Sequence, residues 1–383
     1  MPRVLNDPGC ADDERDMIHL AVQALSEGKL VAFPTETVYG IAADASNELA
    51  VTRLLAIKGR RPGRPLTLAV KSPEEALDFC PDVSPVGQRL GRRCWPGPLT
   101  LVLRGTHPHS PLRRLPARVR QAVAPAEFVG LRVPDHRFLL ETLRLLPAPV
   151  TLTSANRSGQ TDAVSAQEVV EALGDGVDLV LNDGRSKYAQ PSSVVRVQGR
   201  ALEVLRQGVL SESALQRFAS LIVLFVCTGN TCRSPMAQVM FQRRVAETLD
   251  CDVLDLPDRG VMVISAGVSA AAGMPASGPA VEAMRARGLD LSNHESRPVS
   301  DSLVRFADLI LTMTLGHREA ILDRWPDAVG RIQLVCRDGR DVADPVGGDV
   351  AEYERCAAQI ERHLPHWVAQ LDLNSLPVIR SAA

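Results

Sequence analysis

The pattern of apolar and polar positions predicts short buried strands that alternate with amphipathic helices. Six consecutive apolar residues, Leu221–Val226, are too few to cross a membrane and predict a buried strand of a parallel sheet. Small, turn-forming residues follow at Gly229 and Asn230. After Pro235 the apolar positions recur at helical spacing. The stretch therefore predicts a strand, a tight loop and the start of a helix.

The first half of the chain shows the same alternation. Apolar runs predict strands at 30–33, 66–70, 99–103, 129–133, 150–152, 179–181 and 194–197. Helical spacing predicts helices at 18–25, 50–57, 73–79 and 166–173. Strands that alternate with helices place the whole chain in the α/β class.

Length and composition predict two globular domains. A chain of 383 residues exceeds the usual size of one domain, and the polar stretch 210–220 suggests domains at 1–219 and 220–383. A hydrophobic content of 45% and a charged content of 23% are ordinary for a globular protein. The 8 cysteines show no metal-ligand spacing, and no signal peptide or membrane span is evident. We therefore expect a cytoplasmic protein with reduced thiols, no membrane contact and no metal site.

The loop after the 221–226 strand has the chemistry of a phosphate site. Backbone N–H groups at a helix N-terminus bind anions. The same surroundings favour the thiolate of Cys227, which can attack phosphorus. Arg233 offers a planar fork for two phosphate oxygens, and Ser234 can donate a hydrogen bond to the thiolate. A single cysteine in such a turn is usually structural, but this combination favours a catalytic role.

The segment C-T-G-N-T-C-R-S-P resembles the signature loop of low-molecular-weight protein-tyrosine phosphatases. Three further motifs of that family follow in order: S-A-G at 265–267, L-T-M at 311–313 and D-P at 344–345. The resemblance implies a small doubly wound parallel sheet and a phosphatase that needs no cofactor. It implies Cys227 as nucleophile, Asp344 as general acid, and Arg233 and Ser234 as catalytic partners. The phosphate-binding loop is then completed by Thr228, Gly229, Asn230, Thr231 and Cys232.

The substrate of this second domain stays open at this point. Thr231 resembles the bacterial protein-arginine phosphatase branch, where a threonine here favours phosphoarginine. Tyrosine-specific members usually have an aliphatic residue instead. Val346 stands where an aromatic residue usually follows D-P. An arsenate reductase would need a further cysteine pair, but there is no cysteine between Cys251 and Cys336. A redox-sensing role is a further alternative, and a reversible Cys232–Cys227 pair would protect Cys227 from over-oxidation.

Polar residues in the first half cluster where predicted strands end. P-T-E-T-V-Y-G at 34–40 supplies hydroxyl groups, among them Thr35. Lys58 and Arg60 flank a glycine, so both cations can face one polyphosphate. Arg132 lies between apolar neighbours in a predicted strand and therefore needs an anionic partner. Ser154 and Asn156 follow another predicted strand.

These motifs together resemble the YrdC/Sua5 family of threonylcarbamoyl-AMP synthases. W-P-G-P-L-T at 95–100, the serine pair 192–193 and L-R-Q-G at 205–208 complete the family order. The resemblance implies a twisted open α/β sheet that joins L-threonine, bicarbonate and ATP, with Mg²⁺ on the phosphates. The product feeds the tRNA-modification machinery. Longer members carry a histidine in the strand at 66–70, and this chain has none there.

The same resemblance assigns binding roles to eight residues. It places Lys58, Arg60, Ser154 and Asn156 on the phosphates of ATP. Threonine and the nucleotide are then fixed by Thr35, Arg132, Ser193 and Arg206. Such a site works by positioning and charge neutralisation and needs no nucleophile.

A basic stretch leaves room for a different function. Residues 83–126 contain eight arginines and no acidic residue. A basic face of this kind can bind a nucleotide or RNA, or it can be an ordinary solvated surface. The alternative to a synthase is therefore an RNA-binding module that catalyses no reaction.

Overall fold

The computed structural model describes residues 1–6, 11–59 and 65–380 of the chain. Contacts divide it into two compact units, and the second unit spans Arg217–Pro377. The first unit contains the residues up to Gln216 together with those from Val378 onward. None of the helices in the described ranges is both long enough and apolar enough to cross a bilayer.

The first unit is built on a mixed sheet whose described strands number 11. Their order across the sheet is β1-β8-β2-β3-β7-β4-β6-β5-β9-β10-β15. The strands are β1 (Arg3–Asn6), β2 (Val31–Phe33), β3 (Gly40–Asp44), β4 (Thr67–Ala69), β5 (Leu99–Arg104), β6 (Phe128–Arg132), β7 (Val150–Ser154), β8 (Leu179–Asn182), β9 (Ser193–Gln198), β10 (Ala201–Arg206) and β15 (Val378–Arg380).

Helices of the first unit lie between these strands. They are α1 (Ala11–Ser26), α2 (Glu48–Lys58), α3 (Pro73–Phe79), α4 (Pro85–Cys94), α5 (Ala117–Val123), α6 (Arg137–Leu145), α7 (Ala166–Leu173) and α8 (Glu212–Ala219), whose last residues fall in the second unit. Helices α1 and α6 cover one face of the sheet and bury Leu25, Phe33 and Phe138. The predicted helices 73–79 and 166–173 are confirmed to the residue.

The last described strand of the chain belongs to the first unit's sheet. Residues 378–380 pair in parallel with Ala201, Leu202 and Glu203 of β10. This pairing covers the backbone edge that β10 would otherwise expose to solvent. The structural division therefore differs from the predicted division after residue 219, because three residues from the far end of the chain are bonded into the first sheet.

The second unit has a fully parallel sheet in which four strands are described, in the order β12-β11-β13-β14. They are β11 (Leu221–Cys227), β12 (Val261–Gly267), β13 (Leu309–Thr312) and β14 (Ile332–Leu334). Its helices are α9 (Arg233–Leu249), α10 (Gly278–Arg285), α11 (Asp301–Phe306), α12 (Leu315–Arg324) and α13 (Val350–Gln370). This strand order confirms the predicted doubly wound fold. All residues of β11 are buried, as expected for a central strand of a parallel sheet.

The basic stretch predicted at 83–126 is only partly a surface feature. Arg89 and Arg93 are buried on α4, at 5% and 4% exposure. Of the remaining arginines, Arg92 is on α4, Arg104 is on β5, Arg113 and Arg114 lie in a short 3-10 helix, and Arg118 and Arg120 are on α5. The stretch therefore presents only some of its arginines to solvent, because helical periodicity turns Arg89 and Arg93 into the core.

Candidate active sites

Cys227 ends the central strand of the second unit and lies inside a closed loop. Its Sγ atom is 3.0 Å from Ser234 Oγ and accepts the backbone N–H of Asn230 at 3.2 Å. Asn230 adopts a left-handed conformation with φ 56°, which turns that N–H toward the sulfur. Helix α9 begins at Arg233, so its first N–H groups also face the loop. The thiol is therefore surrounded by hydrogen-bond donors.

Asn230 holds the loop in this shape from inside. Its side-chain amide donates to Ser234 Oγ at 3.0 Å and to Ser265 Oγ at 2.9 Å. Its Oδ1 accepts the N–H of Arg297 at 2.9 Å, and its carbonyl oxygen is 2.7 Å from His294 Nε2. His294 is thus a half-buried histidine that supports the loop.

Gly267, at the end of β12, permits the close approach of this loop. A Cβ atom at Gly267 would overlap the carbonyl oxygen of Thr228 and crowd the N–H of Asn230. The S-A-G motif therefore has a packing reason: a residue without a side chain is needed at the strand end where the Cys227 loop passes close to it.

Arg233 and Asp344 meet at the mouth of the loop. Arg233 Nη2 donates to Asp344 Oδ2 at 2.6 Å, and Nη1 donates to Val342 O at 3.4 Å. The arginine side chain is 5% exposed and the aspartate side chain 48% exposed. A phosphate that enters the loop would compete for Arg233 and leave the carboxylate at the rim, where a leaving group departs.

A chain of hydrogen bonds connects the loop to helix α12. Thr228 Oγ1 is 2.8 Å from His317 Nε2, and His317 Nδ1 is 2.8 Å from Thr314 Oγ1. Arg233 Nη2 donates to Thr228 Oγ1 at 3.3 Å. Burial and the nearby Arg233 guanidinium lower the pKa of His317 below its usual value, so the ring is neutral at neutral pH. The hydroxyl groups and both ring nitrogens have hydrogen-bond partners if the Thr228 hydroxyl donates to His317 Nε2 and His317 Nδ1–H donates to Thr314 Oγ1.

A separate cavity of about 970 Å³ lies on the sheet of the first unit. It is lined by six of the residues that the sequence singles out: Thr35, Lys58, Arg132, Ser154, Asn156 and Arg206. They come from the ends of β6, β7 and β10, from α2 and from the loop after β2. The topology thus brings side chains that are up to 171 residues apart to one pocket of nucleotide size.

Arg132 forms a buried ion pair at this cavity. Its Nη2 donates to Glu36 Oε1 at 2.8 Å and to Thr37 Oγ1 at 2.8 Å, and both charged side chains are under 10% exposed. The predicted anionic partner of Arg132 is therefore confirmed as Glu36. Arg132 Nε is buried and has no hydrogen-bond partner among the described residues. Arg132 is one of the residues that line the cavity, and this covered donor is a polar group that the described residues leave unpaired.

Lys58, the last residue of α2, closes another side of the cavity. Its ammonium donates to Ser154 O at 2.6 Å and to Asn156 Oδ1 at 2.9 Å, and it also donates to Asn156 O. Ser154 Oγ donates to the same Asn156 Oδ1 at 2.6 Å. The lysine charge is thus held against the loop after β7, where it can meet an anion.

Two family models match the chain, one for each unit. A model described as Telomere recombination, for Sua5, YciO and YrdC proteins, matches residues 23–208. A model described as Low molecular weight phosphotyrosine protein phosphatase matches residues 222–376.

Relatives agree with both assignments. The threonylcarbamoyl-AMP synthase of Pyrococcus abyssi is 31% identical over 241 residues, which are 63% of this chain and 68% of the relative. The probable low molecular weight protein-tyrosine-phosphatase EpsP of Ralstonia nicotianae is 37% identical over 150 residues, which are 39% of this chain and 94% of the relative. The chain belongs to both families.

A solved structure of a P. abyssi Sua5 variant has the fold of the first unit, with a TM-score of 0.50, 24% identity, and coverage of 70% of this chain and 91% of that one.

One predicted synthase residue lies away from the cavity. Ser193 Oγ donates to Leu210 O and accepts the N–H of Leu210, both at 2.9 Å, and the residue is fully buried. Side chains alternate along a strand, so Ser192, Val194 and Arg196 line the cavity while Ser193 faces the other way. Of the serine pair, Ser192 is therefore the member that lines the cavity.

Ser192 joins a polar group that the sequence did not connect. Ser192 Oγ is 3.0 Å from Thr100 Oγ1 and accepts from Arg206 Nη2 at 3.0 Å. Arg206 also donates twice to Ser192 O, at 3.1 and 2.8 Å. A Cβ on Gly208 would overlap Pro191 O and the backbone of Ser192, so the glycine of L-R-Q-G lets the chain pass close to this group. Arg60, the other predicted phosphate ligand, lies outside the described residues.

The hydrogen-bond chain through His317 gives a first prediction for the phosphatase. We expect Thr228→Val to lower kcat roughly tenfold, because it leaves His317 without its loop partner and costs about 1–2 kcal/mol. Thr228→Ser keeps the hydroxyl group and should retain activity within about a factor of two. Steady-state hydrolysis of p-nitrophenyl phosphate measures both. Equal rates for the valine and serine variants would show that the chain does not position the loop.

Proposed function

We propose that the first unit forms L-threonylcarbamoyl-AMP from L-threonine, bicarbonate and ATP and releases pyrophosphate. The observation that carries this proposal is the cavity in which Arg132, Lys58 and Arg206 converge on one polar surface. Three cations that face one pocket suit a ligand with several anionic groups. The relative from P. abyssi bears the name of this reaction.

Each cation has a proposed role in this reaction. Lys58, Ser154 and Asn156 receive the phosphates, and Arg60 is proposed to join them from its position just after α2. Arg132 offers its guanidinium to the threonine carboxylate, while Glu36 fixes the guanidinium plane. Arg206 and Ser192 contact the nucleotide, and Thr35 lines the threonine end. The work is positioning and charge neutralisation.

Mg²⁺ is proposed to accompany ATP in this cavity. Magnesium is usually bound by one or two carboxylates together with the phosphates of the substrate. Asp162 is the one carboxylate among the described residues that line the cavity, so the donor set fits such an ion. When bound, Mg²⁺ would neutralise charge on the phosphates. The product would be handed to the tRNA-modification machinery.

An RNA-binding module without catalysis is the competing hypothesis for this unit. Assay of the full chain distinguishes the two. We expect pyrophosphate release that requires threonine and bicarbonate together with ATP. Binding of RNA without any threonine-dependent release of pyrophosphate would support the competing hypothesis and contradict the proposal. Two of the eight arginines in residues 83–126, Arg89 and Arg93, are buried and are therefore not available to contact RNA.

We propose that the second unit hydrolyses phosphorylated protein side chains through a cysteinyl-phosphate. Cys227 Sγ attacks phosphorus, and the bond from phosphorus to the leaving atom breaks as Asp344 gives that atom a proton. Arg233 and the loop N–H groups stabilise the phosphoryl oxygens. Asp344 then takes a proton from water, which attacks phosphorus and releases phosphate and the Cys227 thiolate. The donors around Cys227 Sγ carry this proposal.

Phosphoarginine is the proposed substrate of this site. Thr231 places a hydroxyl group beside the cysteine loop, with its Oγ1 3.5 Å from Cys232 Sγ, and a hydroxyl can accept from a guanidinium N–H. Val346, 69% exposed, offers no aromatic surface for a tyrosine ring. Phosphotyrosine is the second candidate, because the Ralstonia relative is named a tyrosine phosphatase.

The two substrates can be separated with matched peptides. We expect a higher kcat/KM for a phosphoarginine peptide than for its phosphotyrosine counterpart, and we expect Thr231→Ile to lower that ratio about tenfold. A ratio that Thr231→Ile leaves unchanged, or a preference for phosphotyrosine in the unaltered chain, would contradict the phosphoarginine proposal while leaving phosphatase activity itself intact.

A further inference from the structure

Three side chains that commonly bind metals meet outside both active sites. Cys336 follows β14, Asp338 lies two residues further along the same loop, and His363 lies on α13. One ligand atom from each of them lies within 4.8 Å of the other two. Cys336 is buried, His363 is half-buried and Asp338 is exposed. Solvent therefore reaches the cluster from the side of Asp338.

Their spacing is close to that of ligands around one small ion. Zinc binds sulfur at about 2.3 Å, and nitrogen and oxygen at about 2.0–2.2 Å, so its ligand atoms lie roughly 3–4 Å apart. A closure of about 1 Å would bring these three atoms onto such an ion. Asp338 lies in a tight turn before Gly339, which has φ 78°, and its exposed side chain is held only by contacts with Arg340 among the described residues.

The competing contacts of these groups are weak. Cys336 Sγ receives a long contact from Gln359 Nε2 at 3.7 Å. Asp338 accepts the N–H of Arg340 at 3.2 Å and pairs with the exposed Arg340 side chain at 3.7 Å. His363 makes no hydrogen bond or ion pair with any described residue. The imidazole and the thiol therefore keep their ligand atoms available, and an exposed ion pair contributes little to holding Asp338.

We propose that Cys336, Asp338 and His363 bind a divalent cation of the zinc class, with water in the fourth position. A thiolate and an imidazole favour zinc over magnesium or calcium, which prefer oxygen ligands alone. The thiolate and the carboxylate together balance the charge of the ion. The cysteine proton is released to solvent when the ion binds.

This site lies at the base of the loop that carries Asp344. Gln359 of α13 already ties that loop to the helix: its Nε2 donates to Asp341 O at 2.9 Å, and its Oε1 accepts the N–H of Ala343 at 3.2 Å. A cation held by Cys336, Asp338 and His363 adds a second link between the same loop and the same helix. Binding therefore stabilises the second unit, since an ion that binds only the folded state raises its stability.

Cobalt(II) titration of the full chain tests the site directly. The titration uses the Cys227→Ser variant, so that the active-site thiol does not compete. We expect thiolate-to-cobalt charge-transfer absorption that saturates near one equivalent, and we expect zinc to abolish it by displacement. His363→Gln and Asp338→Asn should each weaken binding at least about tenfold, as the loss of one of three protein ligands would.

His366→Gln is the matched control, because it removes a histidine three residues along the same helix. The control should bind cobalt as tightly as its parent. A second measurement follows the melting temperature with and without zinc: the parent and the control should show a rise that His363→Gln loses. Equal binding by His363→Gln, Asp338→Asn and the control would overturn the proposal, as would absence of charge-transfer absorption in the parent.

Discussion

Replacing Cys227 with serine is expected to lower phosphatase turnover by roughly 10⁴-fold or more, which corresponds to about 5.5 kcal/mol of activation free energy. A serine hydroxyl is a weak nucleophile without a base to activate it, and the loop donors around residue 227 are arranged to stabilise an anion rather than to remove a proton. Phosphate release from p-nitrophenyl phosphate measures the loss. The synthase reaction of the same sample should be unchanged.

Cys251→Ser is the control for loss of a thiol elsewhere in the second unit. Cys251 is a free, half-buried cysteine, and we expect its replacement to leave kcat within about a factor of two. Substantial phosphatase activity in Cys227→Ser would rule out a cysteinyl-phosphate. A parallel loss of threonine-dependent pyrophosphate release would contradict the assignment of the two reactions to separate sites.

Arg132→Met is expected to abolish the synthase reaction and to destabilise the first unit. The variant removes the proposed threonine contact and also leaves the Glu36 carboxylate buried without its cation. Breaking a buried pair in this way costs about 3–5 kcal/mol of folding free energy. Pyrophosphate release measures the first effect, and denaturant unfolding of the full chain measures the second.

The double variant Arg132→Met/Glu36→Gln separates catalysis from stability. Removal of both charges takes away the uncompensated carboxylate, so we expect most of the lost folding free energy to return. The reaction should stay at least about 10³-fold below the unaltered chain, since no donor replaces the Arg132 guanidinium that lines the cavity. A double variant that recovers both stability and activity would show that Arg132 has a structural role only.

Much of the phosphatase site follows from local sequence. Residues 227–234 lie in one loop between a buried strand and a helix, so the geometry of Cys227, Asn230 and Arg233 is set by neighbours in the chain. The positive φ of Asn230 has a visible signal in its residue type. The role of His317 in this loop has no local signal, because Thr228 is 89 residues away from it.

The synthase site depends more on tertiary structure. The need of Arg132 for an anion can be predicted from its apolar neighbours, but its partner Glu36 is 96 residues away in the chain. Side chains point alternately to the two faces of a sheet along a strand. Which of Ser192 and Ser193 faces the cavity therefore depends on the exact register of the strand, and an error of one residue turns a side chain to the opposite face. The sequence alone does not decide which of the two serines faces the cavity until the first residue of β9 is known.

Helix α13 is missing from the sequence-based predictions for a different reason. Its buried residues recur at helical spacing, among them Tyr353, Cys356, Ile360 and Leu364, so the periodic signal is present. Pro365 lies inside the helix and argues against a helix of this length. The buried face outweighs the proline, because packing of an amphipathic face supplies most helix stability in proteins.

One structure of the full chain with vanadate, threonine and a non-hydrolysable ATP analogue tests the central claim that a single chain holds two separate phosphate-binding centres. We predict vanadium bonded to Cys227 Sγ with its oxygens on the loop N–H groups and Arg233. In the same crystal we predict the phosphates of the analogue beside Lys58, Ser154 and Asn156. Vanadate away from Cys227, or a nucleotide outside the cavity lined by Arg132, would contradict the account.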